Sequence, residues 1–329
     1  MEKRKIQHTG GSSFSITLPK KWIESHKLKK HDFVVSLERG DSLIVIPHYL
    51  VESQTKGKIY LDNLRDTFLK RELIAHYILG FDELEVLGSP IKKEKRLIIR
   101  RIVEALAGFE IIEDSANQIV IRNILNIEKL SFRESASRMF LMTYSMFQDA
   151  ITSTCENNKK LAQDIIERDY EINKLYFLIL RQNRYSFQDK IYDEKLTIPP
   201  IRAIYQEGIA VQLERIADHA VKIAKIIAEN NLSLSKNLTI ALQETAEKIL
   251  PLLIEAEHFV KNIDKKGAHE VLDQADKIKK IINNFSLKVA KQKSPRASIL
   301  SDSIDRLYGY ISNMAELTID QAIVEKAIQ

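Results

Sequence analysis

Residues 213–224 read LERIADHAVKIA, and they constrain the chain more than any other stretch. Leu213, Ile216, Ala220, Ile223 and Ile227 follow one another at steps of three and four, the period of a helix with one buried stripe. Glu214 and Asp218 flank that stripe four residues apart, so both carboxylates leave the same helix face. Like charges at that spacing cost roughly a few tenths of a kcal/mol unless a cation relieves them. Arg215 and Lys222 are cations of the same helix, and hard divalent or trivalent metal ions also favour clustered carboxylate oxygens. From spacing alone, a solvated pair of surface acids is the simpler reading.

The wider wording, Glu-Arg-Ile-Ala-Asp-His-Ala followed by a further Ile-Ala, resembles the repeated carboxylate motif of the PhoU-type phosphate-uptake regulators. The resemblance implies two three-helix bundles, each closed by an ERxxDHA helix, and it implies Glu214 and Asp218 as ligands of a divalent or ferric ion. It also implies an internal duplication. Residues 303–316, SIDRLYGYISNMAE, slide under the first copy with Asp305 opposite Glu214, Arg306 opposite Arg215 and Met314-Ala315 opposite Ile223-Ala224. Gly309 falls opposite Asp218, so the second copy retains Asp305 as its one candidate ligand, and Asn313 stands where the first copy has Lys222. Upstream, IIERDYEINKL (165–175) repeats as VLDQADKIKKI (271–281), with Glu167 over Asp273. Each half therefore reads as helix, helix and closing helix, over 133–231 and 235–329. The connection before the closing helix, 181–200, is rich in breakers and ends in Pro199-Pro200; in the second half it is shorter, around Pro295.

A chain of 329 residues buries a substantial core and suggests two or three domains. No apolar run approaches the roughly 18 residues that cross a bilayer, and MEKRKIQ lacks the apolar core of a signal peptide, so a cytoplasmic protein with no membrane insertion is expected. The single cysteine, Cys155, lies in a helical pattern and reads as a packed thiol. The net charge of +5 is informative once located. Residues 1–58 hold eleven Lys and Arg against six Asp and Glu, which leaves 39 of each for the remainder. A basic segment on a neutral body points to a polyanion that meets the N-terminal part.

That segment reads strand, strand, helix, strand, strand: 5–9 and 13–18 around Gly10-Gly11, a helix opened by Pro19, then 33–37 and 42–46 around Arg39-Gly40-Asp41, stopped by Pro47. Fifty residues are too few to bury a core alone, so pairing with a second copy is expected. With the words GGSSFSITLPKKW and DSLIVIP, residues 1–50 resemble the AbrB/SpoVT-type swapped-hairpin domains. The resemblance implies half of a β-barrel, completed by a homodimer, whose basic face lies along DNA. Lys3, Arg4, Lys5, His8, Lys20 and Lys21 are the positions that would meet phosphates. A barrel that only dimerises, with solvated lysines, is the competing reading.

Between these parts, residues 59–130 read as a small α/β module: a helix over 61–79 stopped by Gly80, a strand over 83–87, a helix over 92–107 stopped by Gly108, and a hairpin of 109–113 and 118–122. Lys93, Arg96 and Arg100 share one helix face there and read as a solvated face rather than a DNA track, because Glu94 and Glu104 lie on the same helix. Glu255 and His258 supply one Glu-x-x-His of the two that a ferritin-like di-iron site needs, and no second follows, so an enzyme is not expected. The expected fold is mainly α: two PhoU-like three-helix bundles, a small α/β module and an AbrB-like β-barrel half. The expected function is a DNA-binding, metal-binding regulator of phosphate uptake. The alternative is an adaptor that binds a phosphate ABC transporter or a phosphate sensor kinase.

Overall fold

The computed structural model describes residues 3–39, 41–51, 54–125, 131–185, 200–230, 232, 234–292 and 294–328. Gly40 of the second hairpin and residues 186–199 of the breaker-rich connection lie outside the described residues. The chain divides into a unit of residues 1–54 and a larger one formed by 55–188 with 196–329.

In the small unit, β1 (Gln7–Thr9) and β2 (Ser13–Ser15) form one hairpin. A second pairs β3 (Val34–Arg39) with β4 (Ser42–Pro47), and between them α1 (Lys20–Ser25) follows Pro19. Pro47 ends its strand as expected, but the chain turns directly into a short helix, α2 (His48–Val51). Among the described residues no barrel closes: the two hairpins are separate two-stranded sheets. Pro47 is the one buried residue among those described in this unit, while Phe33, Ile6 and Phe14 are 78%, 72% and 71% exposed.

The larger unit opens with a strand that the sequence analysis did not expect, β5 (Lys56–Tyr60). It pairs in parallel with β6 (Glu83–Leu87) through the crossover helix α3 (Asp66–Ile78). After α4 (Lys93–Glu104), the antiparallel hairpin of β7 (Phe109–Asp114) and β8 (Gln118–Asn123) lays β8 beside β6, giving the order β5-β6-β8-β7. Gly80 follows α3 with φ 84, the left-handed conformation that ends a helix without a Cβ clash. Leu69, Leu73, Tyr77, Ile99 and Val103 of the two helices cover Ile59, Leu84, Val86, Ile119 and Ile121 of the sheet. The opposite face is an ionic ladder. Lys56 and Arg122 both reach Glu83, at 2.7 Å each, and Lys58 reaches Glu85 at 2.9 Å. These hydrogen bonds hold the buried Glu83 carboxyl below the usual range. The helix face of Lys93, Arg96 and Arg100 is partly structural: Arg96 and Arg100 both pair with Asp114, and Arg96 also donates to the carbonyls of Ser115 and Ala116 in the hairpin turn.

Gly57 is buried in β5 where a Cβ would stand 2.8 Å from Leu84 Cδ2, 2.8 Å from Phe81 Cδ1 and 2.9 Å from His76 Cδ2. Gly57→Val is therefore expected to cost about 1–3 kcal/mol despite the strand preference of valine. The urea midpoint measures it, and an unshifted midpoint would contradict the packing of β5 on α3 and β6.

The helical part begins with α5 (Phe132–Glu156), α6 (Lys159–Tyr185) and α7 (Pro200–Asn230). Asn157 ends α5 at φ 52, and Asn158 Oδ1 accepts from Leu161 N to start α6, so the turn needs only two residues. Ion pairs give the sense of packing: Arg138 to Glu171 and Arg168 to Asp149 set α5 against α6, and Arg184 to Glu207 sets α6 against α7, each antiparallel. The second half comprises α8 (Lys236–Asn262), α9 (Lys265–Asp273), α10 (Ala275–Lys291) and α11 (Pro295–Ile328). Its middle helix is broken at Gln274, so the segment aligned over 271–281 spans two helices rather than one. Both halves share one core, which runs from Met139 of α5 to Ala315 of α11. No described helix is long and apolar enough to cross a membrane.

The closing helices α7 and α11 run antiparallel against each other. Arg202 Nε meets Glu325 at 2.9 Å, Asn313 Nδ2 donates to Gln212 Oε1 at 3.1 Å, and His219 Nδ1 lies 3.0 Å from Ser303 Oγ. At Gly208 the helices come close enough that a Cβ would stand 2.8 Å from Leu317 Cδ1.

Candidate functional site

The periodicity of α7 sorts its motif onto two faces. Leu213, Ile216, Ala217 and Ala220 are fully buried, and His219 is turned toward α11, where its ring packs 5.8 Å from Tyr310. Burial pushes the His219 pKa down, so this imidazole is a neutral member of the helix interface. Glu214 and Asp218 emerge on the other side, toward α6. Glu214 is half-buried and Asp218 lies at the surface.

Opposite them α6 contributes an acid that the sequence analysis passed over, Asp169. The repeat was aligned there on Glu167, which is exposed and accepts from Gln163. Asp169 is half-buried; its Oδ2 accepts from Asn173 Nδ2 at 2.9 Å, while its buried Oδ1 has no hydrogen-bond partner. The signal was present as an Asp and an Asn four residues apart on one face of α6. The same repeat alignment puts Ala275 opposite Asp169.

The three carboxylates act on one another. Partial burial, then the charges of Asp218 and Asp169, push Glu214 up to about 7, with Arg215 opposing. Asp169 is raised by burial and by Asp218, and Asp218 by partial desolvation, with Lys225 opposing in both cases. Neither Glu214 nor Asp218 has a hydrogen bond or ion pair with a described residue. The Arg215 guanidinium lies 6.0 Å from the Tyr310 ring instead. A buried oxygen without a donor and two acids without a paired cation form the hard-oxygen environment that a small, highly charged ion favours. Among the described residues no three His, Cys, Asp or Glu converge closely enough to hold an ion.

The second copy differs. Asp305 is exposed on α11, and a Cβ on Gly309 would meet nothing within 4 Å. Asp302, one turn before Asp305, is exposed as well and pairs with Arg306 at 3.8 Å, so this position has no two unpaired carboxylates like Glu214 and Asp218 among the described residues. Glu255 and His258 are both exposed on α8, outside the core in which a di-iron site would be built. Cys155 is half-buried, and burial pushes its thiol up, away from reactivity.

The six N-terminal positions all lie at the surface of the small unit. Lys3, Arg4 and Lys5 precede β1, His8 sits on it against Phe14, and Lys20 and Lys21 open α1. Arg4 Nη1 donates to Thr17 Oγ1 at 3.2 Å, which ties the first basic cluster to the connection between β2 and α1. Lys20 is within 3.7 Å of Glu24.

Residues 136–227, from α5 to the end of the carboxylate helix, match the family model of the PhoU domain. Among solved structures, PhoU from Pseudomonas aeruginosa matches with 20% identity and a TM-score of 0.50, over 59% of this chain and 96% of that one. The phosphate transport system regulatory protein PhoU from Streptococcus pneumoniae matches with 17% identity and a TM-score of 0.46, over 57% and 91%. The first likeness shows that the helical region has that fold. No curated protein sequence matches the chain.

Proposed function

We propose that this chain is a PhoU-type regulator of phosphate transport whose helical part holds a divalent or ferric ion and whose N-terminal unit binds DNA as a homodimer. The observation that carries the first part is the buried Asp169 Oδ1 without a hydrogen-bond partner, in electrostatic reach of Glu214 and Asp218 within the segment that matches the PhoU domain; the three acids are neighbours but do not converge on one point. Neighbouring carboxylates, with Glu214 pushed up to about 7 by burial and by the charges of Asp218 and Asp169, gain from a multivalent cation. Asp305, exposed and with its neighbour Asp302 already paired with Arg306, offers a much weaker position. Metal bound at the first site would neutralise the α6–α7 face, and the chain's own part is to present these oxygens and to shield them partly from water. Cells lacking the chain should lose the dependence of phosphate uptake on external phosphate. Unchanged uptake would overturn the reading.

The exposed Phe33, Ile6 and Phe14 support pairing of the small unit with a second copy, because hairpins this size cannot cover their own apolar side chains. A barrel that interleaves two chains cannot close within one. The local excess of lysine and arginine supports DNA as the ligand of the paired unit, with Lys3, Arg4, Lys5, His8, Lys20 and Lys21 as phosphate contacts. The full chain should retard duplex DNA at low salt and release it steeply as salt rises. Lys20→Gln with Lys21→Gln should weaken binding to all sequences alike, by about tenfold at moderate salt. A dimer without DNA affinity at low salt would instead favour the adaptor reading, in which the unit only dimerises and the bundle meets a transporter or kinase.

A further inference from the structure

The body of the chain is neutral overall, yet its charges are unevenly used. In the first half the arginines of the middle helix are engaged: Arg168 pairs with Asp149 and Asp164, Arg184 with Glu207, and Arg181 is buried. The corresponding helix of the second half, α10, carries Lys277, Lys279, Lys280, Lys288 and Lys291 against a single acid, Asp276. All five lysines are exposed, and none forms an ion pair with a described residue.

Their arrangement follows from the helical period. Ile278, Ile282, Phe285 and Val289 form the buried stripe of α10. On the opposite side, Lys280, Leu287 and Lys291 succeed one another at steps of seven and four, so they share one outward line. Lys277 and Lys288, eleven residues apart, lie one row across from it. Leu287, 64% exposed, stands at the crest with lysines on both sides along the helix. We propose that this face of α10 is a docking surface for an anionic phospholipid bilayer, on which the helix lies flat with Leu287 entering the headgroup layer.

Three features favour a bilayer over a nucleic acid. The cations are all lysines, whose long apolar stems can lie beside Leu287 while the ammonium groups reach lipid phosphates. There is no arginine on the helix to supply the planar bidentate contacts with which bases are read. The apolar residue at the crest has nothing to bury against on a phosphate backbone, but it has the acyl boundary of a membrane. The inference goes beyond the DNA and metal reading and depends on neither. It would keep the chain beside membrane proteins without a spanning segment.

The test is co-sedimentation of the full chain with large unilamellar vesicles, one set of phosphatidylcholine and one with about a third phosphatidylglycerol. Binding is expected to the anionic vesicles only and is expected to disappear at high salt. Lys280→Gln, Lys288→Gln and Lys291→Gln together should lower the partition coefficient by a factor on the order of tenfold or more, and Leu287→Ser should lower it several-fold. Circular dichroism controls for folding, since all four positions are exposed. Absence of binding to anionic vesicles would overturn the proposal, as would undiminished binding by the triple lysine variant, which would assign the affinity to the basic N-terminal unit. Loss of DNA affinity in the triple variant, with no vesicle binding by the parent, would make the face a nucleic-acid track instead.

Discussion

Arg181→Ala should lower the unfolding free energy by about 3–5 kcal/mol, the range for removing one partner of a buried, hydrogen-bonded charge network. Arg181 is fully buried near the C-terminal end of α6. Its Nη1 donates to Tyr77 O at 2.5 Å and its Nη2 to Phe81 O at 3.0 Å. The guanidinium carbon lies 4.9 Å from the Tyr77 ring and 5.3 Å from that of Phe109. These carbonyls lie at and just beyond the end of α3, where the helix dipole places negative charge, so the cation caps α3 from a different helix. Asp82, whose Oδ2 accepts from Thr55 N at 2.8 Å, lies 3.8 Å from the same guanidinium. Alanine would strand the Phe81 carbonyl, leave Tyr77 O with only the Gly80 N–H, and open a cavity beside two aromatic rings. Lysine should rescue little, because a point charge cannot serve both carbonyls and stack. Urea denaturation of the three proteins decides the matter. A loss under about 1 kcal/mol for alanine would mean that α6 is not anchored to the α/β module through this side chain.

In chelator, the stability of the protein should fall as pH rises from about 4.5 to about 7. Glu214 ordinarily titrates near 4.5 and is held up to about 7 in the folded chain. Between those values the folded state binds more protons than the unfolded state, so the derivative of stability with pH is negative. The stabilisation is complete below the lower value and lost through the upper one. Its full size is up to about 3 kcal/mol, and Asp169 and Asp218, raised in the same direction, add to the same slope. Glu214→Gln should flatten much of that slope and stabilise the metal-free chain at neutral pH. Added metal should compete with protons and therefore stabilise more at pH 8 than at pH 5. Replacing Glu214 and Asp218 together by alanine should leave helical content unchanged and abolish metal binding. Equal metal content in parent and double variant would sink the assignment and leave these acids as neighbours of Arg215, Lys222 and Lys225.

What was legible in the sequence was what has a period. The stripe of α7, the glycine after α3 and the hairpin of β7 with β8 all follow from local spacing and turn chemistry. β5 was missed because its five residues, KGKIY, place a glycine at one inward position and leave Ile59 as the only buried β-branched side chain; its lysines are held in place by Glu83 and Glu85 of the next strand, which no local pattern reveals. Arg181 was placed in a connection because it precedes a breaker-rich run, whereas α6 continues to Tyr185. Asp169 escaped for a different reason. Its partners are 45 and 49 residues away, on a helix that meets α6 only through tertiary packing.

The antiparallel embrace of α7 and α11 leaves the two copies with unequal obligations. On α11, Tyr308 and Ile311 must still fit the core, and Ser303 must still meet His219, whereas Gly309 borders open space. Packing and chemistry occupy different sides of the same helical turn. A side chain introduced at position 309 can therefore alter the outer surface of α11 while Ser303, Tyr308 and Ile311 go on holding the interface with α7.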